Sequence, residues 1–273
     1  MKDMTLDYAN TQFGQLQHHV FFSAPAYEIF ELLLDEKKHE AYTGVAARID
    51  RRIGGKFTTF GGMVEGVTKE LEPNRLIVQD WRSADWPAEH YSLARFELRP
   101  IHGGRGCALK LDQTAIPIDK IEEVNEGWEK YYWTPMTEYL RNQKVAVVRR
   151  FLEEFKNRAR LDVVDEAWTV DCVLQVPGFQ VPPGRRGQKE VGKAIFDAFS
   201  NVHVEPHDTI VEGDREVERH KATAIHKGEF MGLPATGKKV FWTENHIYRL
   251  ENDLIAETWS EVSFHDLINQ IRN

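Results

Sequence analysis

The chain has 273 residues, 41% of them apolar, with a net charge of −8 and two cysteines. That length suggests about two domains, each with enough apolar residues for its own core. No run nears the roughly 20 apolar residues that a membrane span needs. The opening stretch MKDMTLDYANTQ has no apolar segment of a secretory signal, and the sequence predicts none. Cys107 and Cys172 stand alone, one per half, which excludes a disulfide framework or a cysteine zinc site and points to a reducing, cytoplasmic setting. Residues 1–142 carry 17 Lys/Arg against 22 Asp/Glu, and residues 143–273 carry 18 against 21. Neither half has the basic excess that phosphate neutralisation demands, so neither nucleic acid nor membrane is expected as a partner. The pairs Arg149-Arg150 and Arg185-Arg186 read as a solvated helix face and a loop.

In chain order, Gln15–Phe22 is a plausible strand. His18-His19 inside it has no further ligand spacing for a metal. Ser23-Ala24-Pro25 starts a helix with Ile29, Phe30, Leu33 and Leu34 on its buried face, and Gly44 ends it. Strands follow at Ala47–Asp50, Lys56–Phe60, Val64–Glu70, Leu76–Arg82, His90–Arg99 and Cys107–Gln113, punctuated by paired glycines and by Pro73-Asn74 and Trp86-Pro87. From Asp119 a long helix places Ile121, Val124, Trp128, Tyr131, Tyr132 and Tyr139 on one face. Pro135 should kink or restart it. Arg141-Asn142-Gln143 separates this helix from another that opens the second half, so the domains are read as 1–142 and 143–273.

The segments SAPAYEIFELL, IDRRIGGKFTTFGGMVEG, LEPNRLIVQDWR, WPAEHYS, QTAIP and GWEKYYWTP, in that order, resemble the activator of heat-shock-protein-90 ATPase homologue family. That family is part of the START-like (SRPBCC) helix-grip group, and the resemblance covers nearly all of residues 13–142. It implies a curved antiparallel sheet around the C-terminal helix, with an apolar cavity between them. Trp81, Trp86, Tyr91, Trp128, Tyr131 and Tyr132 then either line that cavity or fill the core; Trp128, Tyr131 and Tyr132 are expected to face the sheet. The resemblance also implies a chaperone as partner. Activators in the family carry a further N-terminal domain that grips the chaperone, and this sequence starts at the helix-grip segment, so a chaperone partner ranks below a small ligand.

The second half reads as helices at Lys144–Lys156 and Leu161–Ala167, a strand at Val170–Val176, a Pro/Gly loop at Pro177–Gly187 and a helix at Gln188–Phe199. Strands follow at His203–Glu212, Glu216–Phe230, Lys239–Leu250 and Leu254–Ser263. Helices followed by a meander of long strands imply an α+β cone. The phrases VEGDREVER, AIHKGEFMGLPATGKKV, HIYRLENDLIAETW and LINQI resemble the SnoaL-like polyketide cyclases of the nuclear-transport-factor-2-like superfamily, over about residues 143–271. The fold expected for the whole is thus α+β: a helix-grip START-like domain followed by a cone-shaped α+β-barrel SnoaL-like domain.

This second resemblance implies a hydrophobic pocket, cyclase or isomerase chemistry by a pocket acid/base without metal or cofactor, and a homodimer formed through the second domain. Such chemistry needs a titratable group desolvated by an apolar cavity. Alternation puts Trp242, Glu244, His246 and Tyr248 on one strand face and Ile255, Glu257, Trp259, Glu261 and Ser263 on another; which faces point inward is open. Family members usually have an aspartate at the position of Ser263, and a serine is no base unaided. Glu261 with His246 is the candidate catalytic pair, with Trp242, Glu257 and Trp259 as candidate ligand contacts. The alternative is a structural His246 and a solvated Glu261. His203, His207 and His226 lack metal-site spacing. The function expected is binding of a small hydrophobic, polyketide- or ester-like molecule, with cofactor-independent cyclase or isomerase turnover in the second domain as the further option; the alternative is a chaperone co-regulator or protein-interaction module acting through the first domain.

Overall fold

The computed structural model describes residues 12–87 and 89–273; residues 1–11, the greater part of the stretch scanned for a leader, lie outside the described residues. Two units meet between Leu140 and Arg141. No helix among the described residues is long and apolar enough to cross a membrane.

The first unit opens with strand β1 (Phe13–Phe22) and helices α1 (Ala26–Leu34) and α2 (Glu36–Thr43). Spacing predicts one helix here, but the chain breaks at Asp35. Its backbone is extended, and its carboxylate accepts the Lys38 N–H at 3.0 Å. A short acidic side chain offers the following turn a cap that competes with continuing the helix. Gly44 ends α2 in the left-handed region at φ 70°, where glycine has no Cβ to clash. Strands β2 (Arg48–Ile49), β3 (Lys56–Thr59), β4 (Val64–Glu72), β5 (Leu76–Ser83), β6 (Ser92–Ile101) and β7 (Gly106–Pro117) lead to helix α3 (Ile121–Trp128). The seven strands form one antiparallel sheet in the order β1-β7-β6-β5-β4-β3-β2. Among the described residues of this unit only β1 pairs out of sequence, with β7. Gly66 on β4 allows a close crossing: a Cβ there would lie 1.9 Å from the Asp80 carbonyl oxygen and 2.5 Å from the Phe57 ring.

Pro135 falls in the first turn of a new α-helical segment, the restart expected of it. The helix takes in one extra residue just before, so that Glu129–Trp133 form a π-helical turn and α4 runs from Thr134 to Leu152. Proline cannot donate to the carbonyl four residues back, and its ring crowds that carbonyl. A wider turn just before it relieves both conflicts. The added residue changes which side chains face inward: Trp128, Tyr132 and Trp133 are buried, while Tyr131 is 49% exposed and does not face the sheet. Helix α4 also continues through Arg141-Asn142-Gln143, expected to separate two helices. None of these residues is Gly or Pro, and Arg and Gln are good helix formers.

The second unit continues from α4 into another π-helical turn, Glu153–Asn157. Helix α5 (Val163–Ala167), strand β8 (Trp168–Gln175), helix α6 (Gly184–Ala198), strands β9 (Phe199–Glu212), β10 (Arg215–His226), β11 (Lys239–Glu251) and β12 (Leu254–Val262), and helix α7 (Phe264–Arg272) follow. The strand order is β8-β12-β11-β10-β9, with β8 parallel to β12 and the other pairs antiparallel. The α+β class holds in both units, but the expected barrel does not. The second sheet is open, with β8 and β9 at its edges. Its closure would need a β8–β9 ladder, and helix α6 packs against both of those strands instead.

Candidate functional site

The first unit has almost no interior room. Trp128 packs on Trp81 at 5.6 Å, Tyr132 at 4.3 Å and Trp133 at 5.3 Å between ring centroids, and Trp86 closes against Trp81 at 5.4 Å. A hydrogen-bond chain fixes these rings. Trp128 Nε1 donates to Gln113 Oε1, Gln113 Nε2 donates to Ser92 Oγ, and Ser92 Oγ donates to the Trp81 carbonyl, each at 2.7 Å. What remains between sheet and helix is about 20 Å³, room for a single water at most. The apolar cavity expected here is therefore filled by Trp81, Trp86, Trp128 and Tyr132 themselves. Tyr91 (37% exposed) and Tyr131 are surface residues, and Tyr91 lies beside the Arg82 guanidinium. A hollow of about 520 Å³ does lie against β1, β6 and β7, bordered by His19, Phe21 and Arg99. Beside it Arg95 pairs with Glu97 at 2.9 Å and Lys110 with Asp112 at 2.7 Å, and the titratable groups that line it are not buried.

The second unit differs. Strands β10 and β11 alternate strictly, so Glu216, Glu218 and His220 on one and Trp242, Glu244, His246 and Tyr248 on the other all face inward. Register sets Glu218 beside His246 and His220 beside Glu244. The polar residues form a belt across the core. On one side of it is an apolar cluster containing Phe151, Phe155, Trp168 and Tyr248; on the other is a cluster containing Phe199, Val240, Trp242 and Leu267.

A pocket of about 470 Å³ opens over this belt, within the usual range for small-molecule sites. Its walls include Phe155, Val191, Ile195, Phe199, Phe230 and Trp242, and its polar floor is Lys156, Glu244, His246 and Ser260. Glu244 is 3% exposed. Lys156 Nζ donates to both its oxygens at 2.9 Å, Trp242 Nε1 donates to Oε1 at 2.6 Å, and His246 Nε2 lies 2.6 Å from Oε2. His220 Nε2 is 3.3 Å from the same Oε2. Burial alone would raise the Glu244 pKa, but the charge of Lys156 and the hydrogen bonds from the two imidazoles overcome it and hold the carboxyl well below its ordinary range. Burial lowers the His246 pKa, and Glu244 offsets this only in part. Ser260, directly across from His246 on β12, has its Oγ 2.7 Å from His246 Nδ1. Trp168 Nε1, Gln188 Oε1 and Thr258 Oγ1 line the same pocket, buried and without a hydrogen-bond partner.

Of the candidate residues, His246 and Trp242 reach this pocket. Glu261 does not: it pairs in register with Asn245 on the outer face and is exposed. Glu257 and Trp259 share that outer face. Glu257 accepts from Gln175 at 2.7 Å and from Arg249 at 3.3 Å, and Trp259 lies under the Arg215 guanidinium. Residues two apart in a strand share a face, and the inward set on β12 is Thr258 and Ser260. Ser263 is a tether, its Oγ accepting the Thr243 N–H at 2.9 Å. Arg185 donates to the Trp168 carbonyl at 2.8 Å from within α6, which starts four residues before the predicted helix. His203 and His207 are exposed, and His226 Nδ1 lies 3.0 Å from Thr236 Oγ1. Spacing along the chain does not reveal one constellation that the fold brings together: nitrogens of His220 and His246 and an oxygen of Glu244 lie within 4.8 Å of one another. The trio spans two strands, so spacing along one strand does not show it, and Lys156 already places its ammonium on that carboxylate.

Lys156 was not among the candidates. It is buried together with its neighbour Phe155, four residues after the buried Leu152 and so on the same helix face. His220 carried a visible signal: Glu216, Glu218 and His220 form a row of titratable groups at period two in a strand whose other face is also polar.

The two units are therefore a helix-gripping sheet with a solid interior and an open α+β sheet with a charged, hollow one. Residues 23–141 match the family of Activator of Hsp90 ATPase homolog 1-like proteins, and residues 146–271 match the SnoaL-like polyketide cyclases. The chain thus carries a stretch similar to the first family followed by a stretch similar to the second. The activator of 90 kDa heat shock protein ATPase homolog of Dictyostelium discoideum is 30% identical over 109 residues, 40% of this chain and 28% of that protein. The chain spans about a third of the length of the curated relatives it matches, between 28% and 36% for the first three. Among solved structures, TsrD from Streptomyces laurentii aligns with 22% identity and a TM-score of 0.45, covering 48% of this chain and 96% of its own. An HSP90 activator from Plasmodium falciparum aligns with 23% identity and a TM-score of 0.42, covering 49% and 95%.

Proposed function

We propose that the second domain binds a small hydrophobic molecule bearing carbonyl or hydroxyl groups, of polyketide or ester type, and that His246 moves a proton on it. The observation behind this is the pocket of about 470 Å³ with apolar walls and the Lys156–Glu244–His246–Ser260 chain at its floor. With Glu244 ionised, the proton on His246 sits on Nε2, facing that carboxylate. The Nδ1 lone pair is left to accept, now from the Ser260 hydroxyl. A substrate proton reaches Nδ1 through that hydroxyl or by displacing it. Glu244 then stabilises the imidazolium, the requirement for general-base removal of a proton next to a carbonyl. The unpartnered groups of Trp168, Gln188 and Thr258 await partners on a ligand; leaving each unmade costs about 1–3 kcal/mol. Native mass spectrometry of the whole chain with a panel of flat apolar ketones and esters tests the reading. Retention of a subset at one molecule per chain, lost in Ile195→Trp, supports it; no retention across the panel rejects it.

A second reading concerns the first domain, and its support is the 30% identity to a chaperone-ATPase activator homologue. On this reading residues 13–142 engage a chaperone through their outer surface, since the interior is filled. Adding the whole chain to an Hsp90 ATPase assay tests it; an unchanged rate together with no co-elution removes it.

A further inference from the structure

The proton chain in the pocket ends on a hydroxyl, and that hydroxyl is placed as a nucleophile. We propose that Ser260 attacks the carbonyl carbon of carboxylic esters or lactones, making the second domain an acyl-transfer catalyst; the proposal rests on the pocket being a ligand site. Three groups are aligned. Ser260 Oγ lies 2.7 Å from His246 Nδ1, and His246 Nε2 lies 2.6 Å from Glu244 Oε2. Glu244 is fixed in turn by Lys156 at 2.9 Å to each oxygen and by Trp242 Nε1 at 2.6 Å. Nucleophile, base and orienting carboxylate within hydrogen-bond reach of one another are what activation of a serine requires. The two imidazole nitrogens exchange the roles they have in chymotrypsin-like triads, which leaves the chemistry unchanged because either nitrogen can accept.

The surroundings suit the reaction. Ser260 is 4% exposed yet lines the pocket, so an ester bound there meets the hydroxyl away from bulk water. Thr258 is two residues earlier on the same face of β12. Its Oγ1 and Trp168 Nε1 are both buried without partners, and both line the pocket as donors for a carbonyl oxygen that turns into an oxyanion. In the first step the Ser260 Oγ–carbonyl carbon bond forms, the Oγ proton passes to His246 Nδ1 and the carbonyl electron pair moves to oxygen. Collapse breaks the ester C–O bond, and the departing alcohol takes the proton from Nδ1. Water, or a second hydroxyl of the same ligand, then attacks the acyl-serine, gives its proton to Nδ1 and frees Ser260 as that proton returns. The sum is ester hydrolysis with water, or ring closure to a lactone with an internal hydroxyl. Ser260 and His246 are the catalytic residues; Glu244 and Lys156 position them.

The test treats the whole chain with p-nitrophenyl hexanoate and with a fluorophosphonate carrying an alkyl tail, followed by intact mass and peptide mapping. The expected result is one phosphonyl adduct per chain, mapped to Ser260, and p-nitrophenol release that falls about 100-fold or more in Ser260→Ala and His246→Ala. Nile red fluorescence reports on the pocket independently. If Nile red binds and Ser260 stays unlabelled, or Ser260→Ala releases p-nitrophenol as fast as the wild type, nucleophilic catalysis is refuted while the ligand site stands. If Nile red and the ester panel both fail to bind, the pocket reading falls as well. Should Ser260→Ala not fold, Ser260→Cys replaces it. Its thiol, unlike the buried Cys107 and Cys172, should react with iodoacetamide in the folded chain, and His246→Ala in that background should slow the reaction. A rate that His246→Ala leaves unchanged counts against the proposal.

Discussion

Glu216 supplies a prediction that can be worked through in numbers. It is fully buried on β10, and neither carboxylate oxygen has a hydrogen-bond partner. Glu218, two residues on, accepts from Thr209 at 2.8 Å. Burial, and then the charge of Glu218, push the Glu216 pKa from 4.5 up to about 8, with Arg149 and Arg141 pulling weakly the other way. The folded chain therefore holds a proton that the unfolded chain releases above 4.5. For an acid raised on folding, stability is greatest below the unfolded value and declines as pH rises toward the folded one. At about 1.4 kcal/mol per pH unit, the loss between pH 5 and pH 8 is about 3.5 kcal/mol. Glu216→Gln keeps the shape and removes the titration. Urea unfolding of wild type and variant at pH 5, 6.5 and 8 should show the variant's advantage growing by about 3.5 kcal/mol across the series, with equal slopes in denaturant. Parallel stability curves would mean that Glu216 is hydrated or paired in solution, and the argument from its burial would fail.

Three further outcomes are expected. Gly66→Ala should destabilise the first unit by about 2 kcal/mol or more, because its Cβ would lie 1.9 Å from a backbone oxygen that cannot swing away; urea unfolding measures it. Trp128→Ala should cost about 3–5 kcal/mol in the same assay, since it opens a void beneath Trp81 and Tyr132 and strands the Gln113 amide. The His246 ring, lowered by burial, should titrate below 6.5 by NMR, and ligand turnover should rise with pH through that midpoint because the base must be neutral. Glu244→Gln removes the one group that raises the value, so its midpoint should fall further.

Much of the fold was legible because apolar spacing reports it directly. Alternation alone grouped Trp242, Glu244, His246 and Tyr248, and the helix spacing marked Trp128 and Tyr132. Alternation does not say which face is inside when both carry charges, and for that reason Glu261 was paired with His246 from the wrong side of β12. Tyr131 escaped because it lies in a π-helical turn, where one added residue shifts the facing pattern, and a reading at 3.6 residues per turn has no room for it. Lys156 shares the buried face of Leu152 four residues earlier, but a lysine there reads as solvated surface. The filled interior of the first unit was beyond reach for another reason. Whether aromatic rings line a space or occupy it depends on about a ring's width of separation between sheet and helix, and sequence spacing does not encode that distance.

The pair formed by Lys156 and Glu244 bears on what the pocket is for. Both side chains are at most 8% exposed, and burying two charges costs free energy that their attraction often only balances. Removing one partner should then be severe: Lys156→Met leaves an uncompensated carboxylate beside two imidazoles and should lose about 3–5 kcal/mol. Adding Glu244→Gln to that variant removes the stranded charge and keeps an oxygen for Trp242 and His246 to donate to, so most of the loss should return. The double variant would be folded, close to wild type in stability, and still hold an apolar ligand. It would lack the anion that makes His246 a base, and turnover should disappear. If urea unfolding finds the double variant as unstable as Lys156→Met alone, the charges are structural and the site loses its best argument. Stability recovered without activity would mean that the pair is kept for chemistry, because the fold tolerates its absence.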